Sequence, residues 1–470
     1  MDYKLKVKNI LDVIKGKLIC GDENKIFGKF SKDTRTIKKG DTYIGIKGEK
    51  FDGSLFWKDA LEKGADIAII EETSFKNENI DDKEIEKYGN KTIILVEDTL
   101  QALYNIAKYK RSLYNIPVIA ITGSVGKTST KDIIYSVVSQ KYKTLKTQGN
   151  NNNNIGMPLT ILNLDDHEAI VLEMGMNHLG EISLLSRIAE PTISVIINVG
   201  TAHIGNLGSR ENILKAKLEI LDGMKEKCLV INNDNDLLNK WYEGNKEKKG
   251  IFTYGIENES NTKAMDILLK FNGSIFKCKY KDEEFDVEVP IGGSHFIYNA
   301  LCAVTVGKIL NIDNKRILKG LKEAELTKNR MDIQELKNGV KIINDSYNAS
   351  YESMKVLLDY LGKLDCNRKI AVLGDMFELG EFSEELHRKV GEEVVKNNID
   401  ILICSGENSK YIVDEAIATG MSKDRIYYKE TKEEIIDILN EMLQPGDNVL
   451  IKASNGMKYY EIINEIRKEI

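Results

Sequence analysis

The chain of 470 residues contains only five prolines and two tryptophans, and its six cysteines, at 20, 228, 278, 302, 366 and 404, include no Cys-x-x-Cys pair. Disulfide scaffolds and zinc modules cluster their cysteines, so these read as buried free thiols behaving as small hydrophobes. Long apolar runs are missing too. Stretches such as 193–197, 228–231 and 401–404 are typical, far short of the ~18–20 residues a membrane span requires. There is no basic excess: 67 Lys and Arg against 73 Asp and Glu leave a formal charge of −6. With no long basic run either, dedicated nucleic-acid binding is not expected. The start, Met1-Asp-Tyr-Lys-Leu-Lys-Val-Lys8, alternates charged and apolar residues and lacks the hydrophobic region of a secretory signal. The expected location is the cytoplasm. No Ser/His/Asp or Cys/His nucleophile constellation stands out, which favours direct group transfer between bound substrates over covalent catalysis.

What is present is globular in kind, with 42% apolar and 30% charged residues, and too long for one core. At about 100–200 residues per domain the length implies three domains. Residues 1–97 mix strand-like runs (42–46, 67–70, 92–96) with a helical stretch, 55–63, ended by Gly64, and a polar surface excursion over 74–91. Helical residues 99–113 then lead through Pro117 into the apolar run 118–122. Such a continuous run suits a parallel strand buried on both faces. Similar runs at 169–173, 194–198 and 228–232 alternate with helices, a strand-rich patch covers 251–289, and a helix covers 296–310. That alternation is the signature of a doubly wound α/β domain. A second α/β series follows, with strands at 341–344, 369–373, 400–404 and 448–452. The expected architecture is therefore α/β in three modules, with boundaries at 1–97, 98–327 and 328–470.

The strongest chemical signal is Ala120-Ile-Thr-Gly-Ser-Val-Gly-Lys-Thr-Ser129, set between the strand and a helix expected over 130–140. Gly123 and Gly126 let the backbone turn tightly, so that the amides of Ser124, Val125 and their neighbours point at phosphate oxygens ahead of a helix N-terminus. Lys127 supplies a mobile charge for the terminal phosphates and the Thr128 hydroxyl suits Mg²⁺. Because Ile121 stands where the generic pattern has Gly, the loop is a shortened T-G-x-x-G-K-T variant. Glu173 ends a neighbouring strand and reads either as a metal ligand or as a solvated strand end. His203, after Asn198-Val-Gly-Thr-Ala, lies past the next strand on the same carboxyl edge, where ligands of such sheets bind; ligand and surface histidine are equally open. Lys217, in a helix, reads from its surroundings as a solvated residue. Gly149 followed by Asn150, Asn151, Asn152, Asn153 and Asn154 is dense in amides that can read a sugar, uracil or peptide backbone. Asp345, following a strand, can accept ribose hydroxyls.

Together these motifs resemble the Mur ligases, the ATP-dependent amide ligases of peptidoglycan precursor synthesis, over nearly the whole chain. The resemblance is carried by Asp33-Thr-Arg35, Gly40-Asp-Thr-Tyr-Ile-Gly-Ile46, Phe51-Asp-Gly53, the T-G-S-V-G-K-T loop, Glu173-Met-Gly-Met-Asn177, Asn198-Val-Gly-Thr-Ala-His203 and Lys215-Ala-Lys217. In the last module it rests on Asn329-Arg-Met331, Asp345-Ser-Tyr-Asn-Ala349 and Val372-Leu-Gly-Asp-Met-Phe-Glu-Leu-Gly380. It is strongest to the branch that adds D-Ala-D-Ala to UDP-MurNAc-tripeptide, giving the pentapeptide, ADP and phosphate through an acyl phosphate.

The resemblance implies a UDP-sugar-binding first domain, a central P-loop ATP-binding domain and a Rossmann-like C-terminal ligase domain. It implies ATP and two Mg²⁺ ions, with catalytic roles for Lys127, Glu173, His203 and Lys217. ATP would be bound by Gly123 to Ser129, Asn299 (against adenine), Arg330 and Asp345. Substrate would be bound by Thr34, Arg35, Asp52, Gly53, Asn150, Asn152, Asn153, Thr160, Tyr347 and Asn348. The metals would be held by Thr128, Glu173, His203 and Lys217, the last as a carbamate, which overturns the solvated reading of that lysine. The partners implied are small molecules only, and a monomer is expected. Three places depart from the family pattern, the first being Asn151 and Asn154 of the asparagine loop, where relatives vary. Phe296 follows His295 where many relatives carry Asn, and Lys452-Ala-Ser-Asn-Gly lacks a basic residue after the serine. The alternatives are another Mur-type ligase or a folylpolyglutamate-synthase-like ligase, which would lack a UDP module. From another class, a P-loop switch would turn over nucleotide without a carboxylate substrate.

Overall fold

A computed structural model describes residues 4–48, 51–78, 80–270 and 273–469; the first three residues of the alternating start lie outside them. Among the described residues there are three sheets, of five, nine and six strands, one for each expected module.

The first sheet orders its strands Lys17–Cys20, Thr92–Val96, Ile67–Glu71, Thr42–Ile44, Phe30–Ser31. All neighbours are parallel except the first pair. The polar stretch 74–91 is more ordered than expected. It carries the short helices Glu72–Asn77 and Asp82–Glu86, the second capped by Asp81 accepting from Glu84 N. The helix expected over 55–63 begins as a 3-10 turn at Gly53–Phe56 and continues as Trp57–Glu62.

The central sheet runs Glu283–Val289, Gly273–Tyr280, Thr262–Lys270, Ile251–Gly255, Leu229–Asn232, Ile193–Ile196, Val118–Thr122, Ala169–Glu173, Thr144–Lys146. Its last seven strands are mutually parallel and its first two form antiparallel hairpins. Val118–Thr122 is buried along its whole length, as a continuous apolar run predicts. Each fully buried Ile or Val there contributes roughly 1.5–3 kcal/mol over exposure. The pairing Ile121↔Glu173 sets Glu173 beside the start of the phosphate loop.

The third sheet orders Asp332–Glu335, Lys341–Asn344, Asp447–Lys452, Arg368–Gly374, Ile401–Ser405, Ile426–Lys429. It is parallel apart from its first, antiparallel strand. The chain enters this domain at a pinned point. Asp132, in the helix after the phosphate loop, accepts from Thr327 N at 2.9 Å and from its hydroxyl at 2.8 Å. The first boundary is less sharp, because Thr99–Ser112 gives Ala102, Leu103 and Ile106 to the N-terminal core and Tyr104 and Ala107 to the central one.

All six cysteines are free. Burial pushes the Cys228 thiol up to about 11 and that of Cys278 to about 12, so both stay protonated and inert at neutral pH.

Candidate functional site

The helix after the phosphate loop starts at Lys127, three residues before the expected 130, and runs to Val138. Gly126 caps it at φ 83°, a left-handed conformation that glycine adopts without a Cβ penalty. The loop is braced from the next strand. Asn198 Oδ1 accepts from Ser124 N at 3.0 Å and Val125 N at 2.9 Å, while its Nδ2 donates to Val125 O at 2.9 Å. Gly200 N adds a bond to the Ser124 hydroxyl at 2.9 Å. Asn198 belongs to the Asn198–His203 motif, and its bracing role is not visible from the residues alone. The one signal is an amide placed just past a strand end that neighbours the loop. Lys127 Nζ folds back onto Gly123 O at 2.8 Å and Ser124 O at 3.4 Å. Burial lowers its pKa, opposed by the Glu173 charge.

The loop opens on a cavity of about 690 Å³. From the central domain it is lined by Ser124 to Ser129, Asn150, Asn152, Glu173, His203, His295 and Asn299; from the C-terminal domain by Arg330, Asp345, Tyr347, Asn348 and Lys452 among others. Most nucleotide-site expectations thus converge on one cleft between two domains. Glu173 is 2% exposed, not a solvated strand end. Its Oε1 accepts from Asn152 Nδ2 at 2.8 Å, and its Oε2 is buried with no hydrogen-bond partner. Asn299 Oδ1 accepts from Thr130 at 3.0 Å, leaving its buried Nδ2 unpartnered.

Across the cleft, the Arg330 guanidinium stacks 4.2 Å from the Tyr347 ring centroid. Asp345 Oδ1 accepts from Met331 N at 3.0 Å, and its Oδ2 pairs with Lys452. Lys452 is 1% exposed and also donates to Asn348 O at 2.8 Å, so it holds the 345–348 turn in shape.

Other expected residues stand elsewhere. Lys217, on the helix Arg210–Leu218, is 1% exposed; the solvated reading of that residue is wrong because it sits on the face carrying Ile213 and Ala216. It does not line the cavity, yet it lies within electrostatic reach of Lys127 and Glu352. Asn153 Oδ1 accepts from Ile155 N and Gly156 N, and the Thr160 hydroxyl donates to Gly156 O. Both serve the helix Gly156–Leu162 and are not cavity-lining. Thr34, Arg35 and Asp52 lie in the N-terminal domain away from this cavity, with Gly53 buried beside Asp52. There Arg35 pairs with Asp33, Asp52 Oδ1 accepts from Ser54 N at 2.8 Å, and Tyr43 OH donates to Gly53 O at 2.6 Å. No group of three or more His, Cys, Asp or Glu side chains placed to hold a metal occurs among the described residues.

Two histidines make the fold sensitive to acid: His387, fully buried behind the C-terminal sheet, and the half-buried His295, whose Nδ1 is buried in the cleft wall. His387 Nδ1 lies 2.7 Å from Ser383 O and its Nε2 accepts from Met376 N at 3.0 Å, which assigns a neutral ring. Burial lowers its pKa from 6.5, with the Ser383 carbonyl and Asp375 opposing. Burial holds His295 down to about 4 against the pull of Asp345, with Lys452 adding to the depression. The unfolded chain therefore binds protons that the folded one refuses. This stability is complete above about pH 6.5 and is lost as pH falls through the folded values, to about 4 for His295. The urea midpoint is expected to fall steadily from pH 7 to pH 4.5. A flat profile there would contradict the neutral assignment.

Three family models match the chain: "Mur ligase family, catalytic domain" over residues 31–111, "Mur ligase middle domain" over 121–307, and "Mur ligase, glutamate ligase domain" over 329–455. A UDP-N-acetylmuramoyl-tripeptide–D-alanyl-D-alanine ligase of Bacillus subtilis is 37% identical over 467 residues, covering 98% of each chain. Among solved structures, MurF from Acinetobacter baumannii superposes with a TM-score of 0.87 at 27% identity, covering 99% of both chains. MurF from Thermotoga maritima, in complex with ADP, gives 0.80 at 29% identity, covering 94% of this chain and 97% of that one. With a phosphate loop facing a C-terminal domain across one cleft, and relatives matched end to end, the chain belongs to the Mur ligase family.

Proposed function

We propose that the chain is the ATP-dependent amide ligase that joins D-Ala-D-Ala to UDP-MurNAc-tripeptide, yielding UDP-MurNAc-pentapeptide, ADP and phosphate. The observation that carries this reading is the single cleft holding both the phosphate loop and the Arg330–Asp345–Tyr347 cluster of the C-terminal domain. A carboxylate does not acylate an amine unaided, because oxide is its leaving group. Transfer of the γ-phosphoryl group to the tripeptide carboxylate supplies phosphate as the leaving group. Lys127 and the loop amides balance the charge that develops on the transferred group. The dipeptide amine then attacks the acyl phosphate, in a cleft whose closure keeps water out.

Residues 1–97 would bind the UDP end through Thr34, Arg35, Asp52 and Gly53, residues 98–327 the ATP, and residues 328–470 the dipeptide, with Tyr347 and Asn348. Asn150 and Asn152 would meet the substrate peptide, and the free Asn299 amide the adenine. The donor set fits Mg²⁺: the Thr128 hydroxyl lines the cavity and the buried, unpartnered Glu173 Oε2 is a hard oxygen donor. His203 and Lys217, as a carbamate, would complete a second site. The bound ions supply charge neutralisation at the phosphates. No helix among the described residues is long and apolar enough to cross a membrane, and the working form is a cytoplasmic monomer acting on small molecules. Relatives named for this activity match 98% of the chain, so the folylpolyglutamate alternative is not favoured.

The test is an assay with ATP, UDP-MurNAc-tripeptide and D-Ala-D-Ala, with the nucleotides resolved. ADP and phosphate are expected in equal amounts with the pentapeptide, and only when both peptide substrates are present. AMP and pyrophosphate would sink the acyl-phosphate mechanism.

A further inference from the structure

The turn that braces the phosphate loop is gripped from its other side. Glu352, in the first turn of the helix Tyr351–Lys363, accepts from Thr201 N at 2.6 Å and from the Thr201 hydroxyl at 3.2 Å. An acidic residue in a first helical turn is ordinary on dipole grounds. Spending both oxygens on another domain is not. Gly200 makes the approach possible, since a Cβ there would stand 2.5 Å from Glu352 Cδ. Further along the turn, His203 Nδ1 lies 2.6 Å from Glu378 Oε2, an ion-pair distance without hydrogen-bond alignment, and Gly205 N donates to Glu378 O at 3.3 Å. A Cβ on Gly205 would come within 2.7 Å of Gly380 N. His203 and Glu378 both hold left-handed backbones, at φ 65° and φ 64°. Non-glycine residues persist there only where their surroundings over-determine them, commonly at functional sites.

We propose that Glu352 and Glu378 are positioning residues, a two-carboxylate clasp by which the seated C-terminal domain holds the 200–205 turn and, through Asn198, the shape of the phosphate loop. The inference rests on the ligase reading. It explains how the domain expected to bring the amine signals its arrival to the domain expected to hold ATP. Without the clasp the loop still binds nucleotide, but its amides are not fixed where the transferred phosphoryl group needs them.

The experiment compares Glu352→Ala, Glu352→Gln, Gly200→Ala and the double variant Gly200→Ala/Glu352→Ala in the full-length enzyme. Gly200 does not have a left-handed φ, so alanine there acts through the Glu352 contact. Each alanine variant is expected to lower kcat by about 5- to 150-fold, the usual span of coupling between two sites, to raise the dipeptide KM, and to leave the Kd for ADP within about twofold. Because Gly200→Ala harms only by displacing Glu352, the double variant is expected to be no slower than Glu352→Ala. Glu352→Gln keeps an acceptor for Thr201 N and is expected to retain most of the rate. Amide exchange over 198–205 is expected to rise in Glu352→Ala. Multiplying effects in the double variant, near-normal kcat in either alanine single, or unchanged exchange would overturn the clasp. If the wild-type enzyme made no pentapeptide, the ligase reading would fail by itself, and the exchange comparison would still decide the clasp.

Discussion

Lys127→Ala is expected to slow turnover at saturating ATP by about 10²–10³-fold, the usual cost of losing one strong contact to developing charge. The lysine is not the free surface residue its loop position suggests. Its ammonium rests on Gly123 O and Ser124 O at the half-buried wall of the cleft, and partial desolvation lowers its pKa despite the Glu173 charge. Phosphate oxygens are better partners than two carbonyls, because the pairing is then charge-assisted on both sides. Nucleotide binding is therefore expected to draw Nζ off its own loop. Truncation removes the carbonyl bonds, worth about 1 kcal/mol, but also relieves an ammonium poorly compensated by charge. The net stability change is expected to stay within about 1 kcal/mol, so the rate loss is not a folding defect. Steady-state kinetics and a urea titration on the same preparation separate the two. Near-normal turnover by Lys127→Ala would refute the phosphate-loop assignment.

The fold is legible in the chain wherever a local rule governs. Val118 to Thr122 reads as a buried parallel strand because every residue is β-branched or small and apolar enough to face both ways. The glycines after it mark the turn. Less legible were elements whose reason is tertiary. Thr144–Lys146 is a three-residue edge strand that pairs only with Ala169–Glu173, and no periodicity fits into three residues. Lys17–Cys20 is similarly short and antiparallel to a strand some seventy residues away. Composition also left Glu173 open and misjudged Lys217. Charged residues are rarely fully buried, and the exceptions are decided by the neighbours of a face, which only the fold reveals. Glu352 had no sequence signal at all. Its role depends on a glycine of another domain leaving room for a carboxylate.

That buried lysine sets the last expectation. Among the described residues no hydrogen bond or ion pair reaches the Lys217 ammonium, and burial lowers its pKa well below 10.5, helped by Lys127 and opposed by Glu352. A depressed pKa enlarges the neutral amine fraction, and only the neutral amine adds CO₂. The nitrogen lone pair attacks the carbon, an N–H proton leaves to solvent, and the stem ends in a carbamate anion. As a cation Lys217 repels Lys127; as a carbamate it attracts it and presents oxygens of the kind Mg²⁺ prefers. Lys217→Ala is expected to lose about 10²-fold or more in rate, as for other lost transition-state contacts, while still folding and binding ATP. The truncation gives up stem packing but also removes an unpaired buried amine, and these oppose each other. Acetate or formate is expected to restore part of the activity by occupying the vacated space. Lys217→Glu is expected to recover little, its side chain being shorter than a carbamylated lysine. A carbamate carbon signal from ¹³CO₂ is expected in the wild-type enzyme and not in Lys217→Ala. Full activity of Lys217→Ala in carboxylate-free buffer would show instead that this lysine only fills the core beneath the cleft.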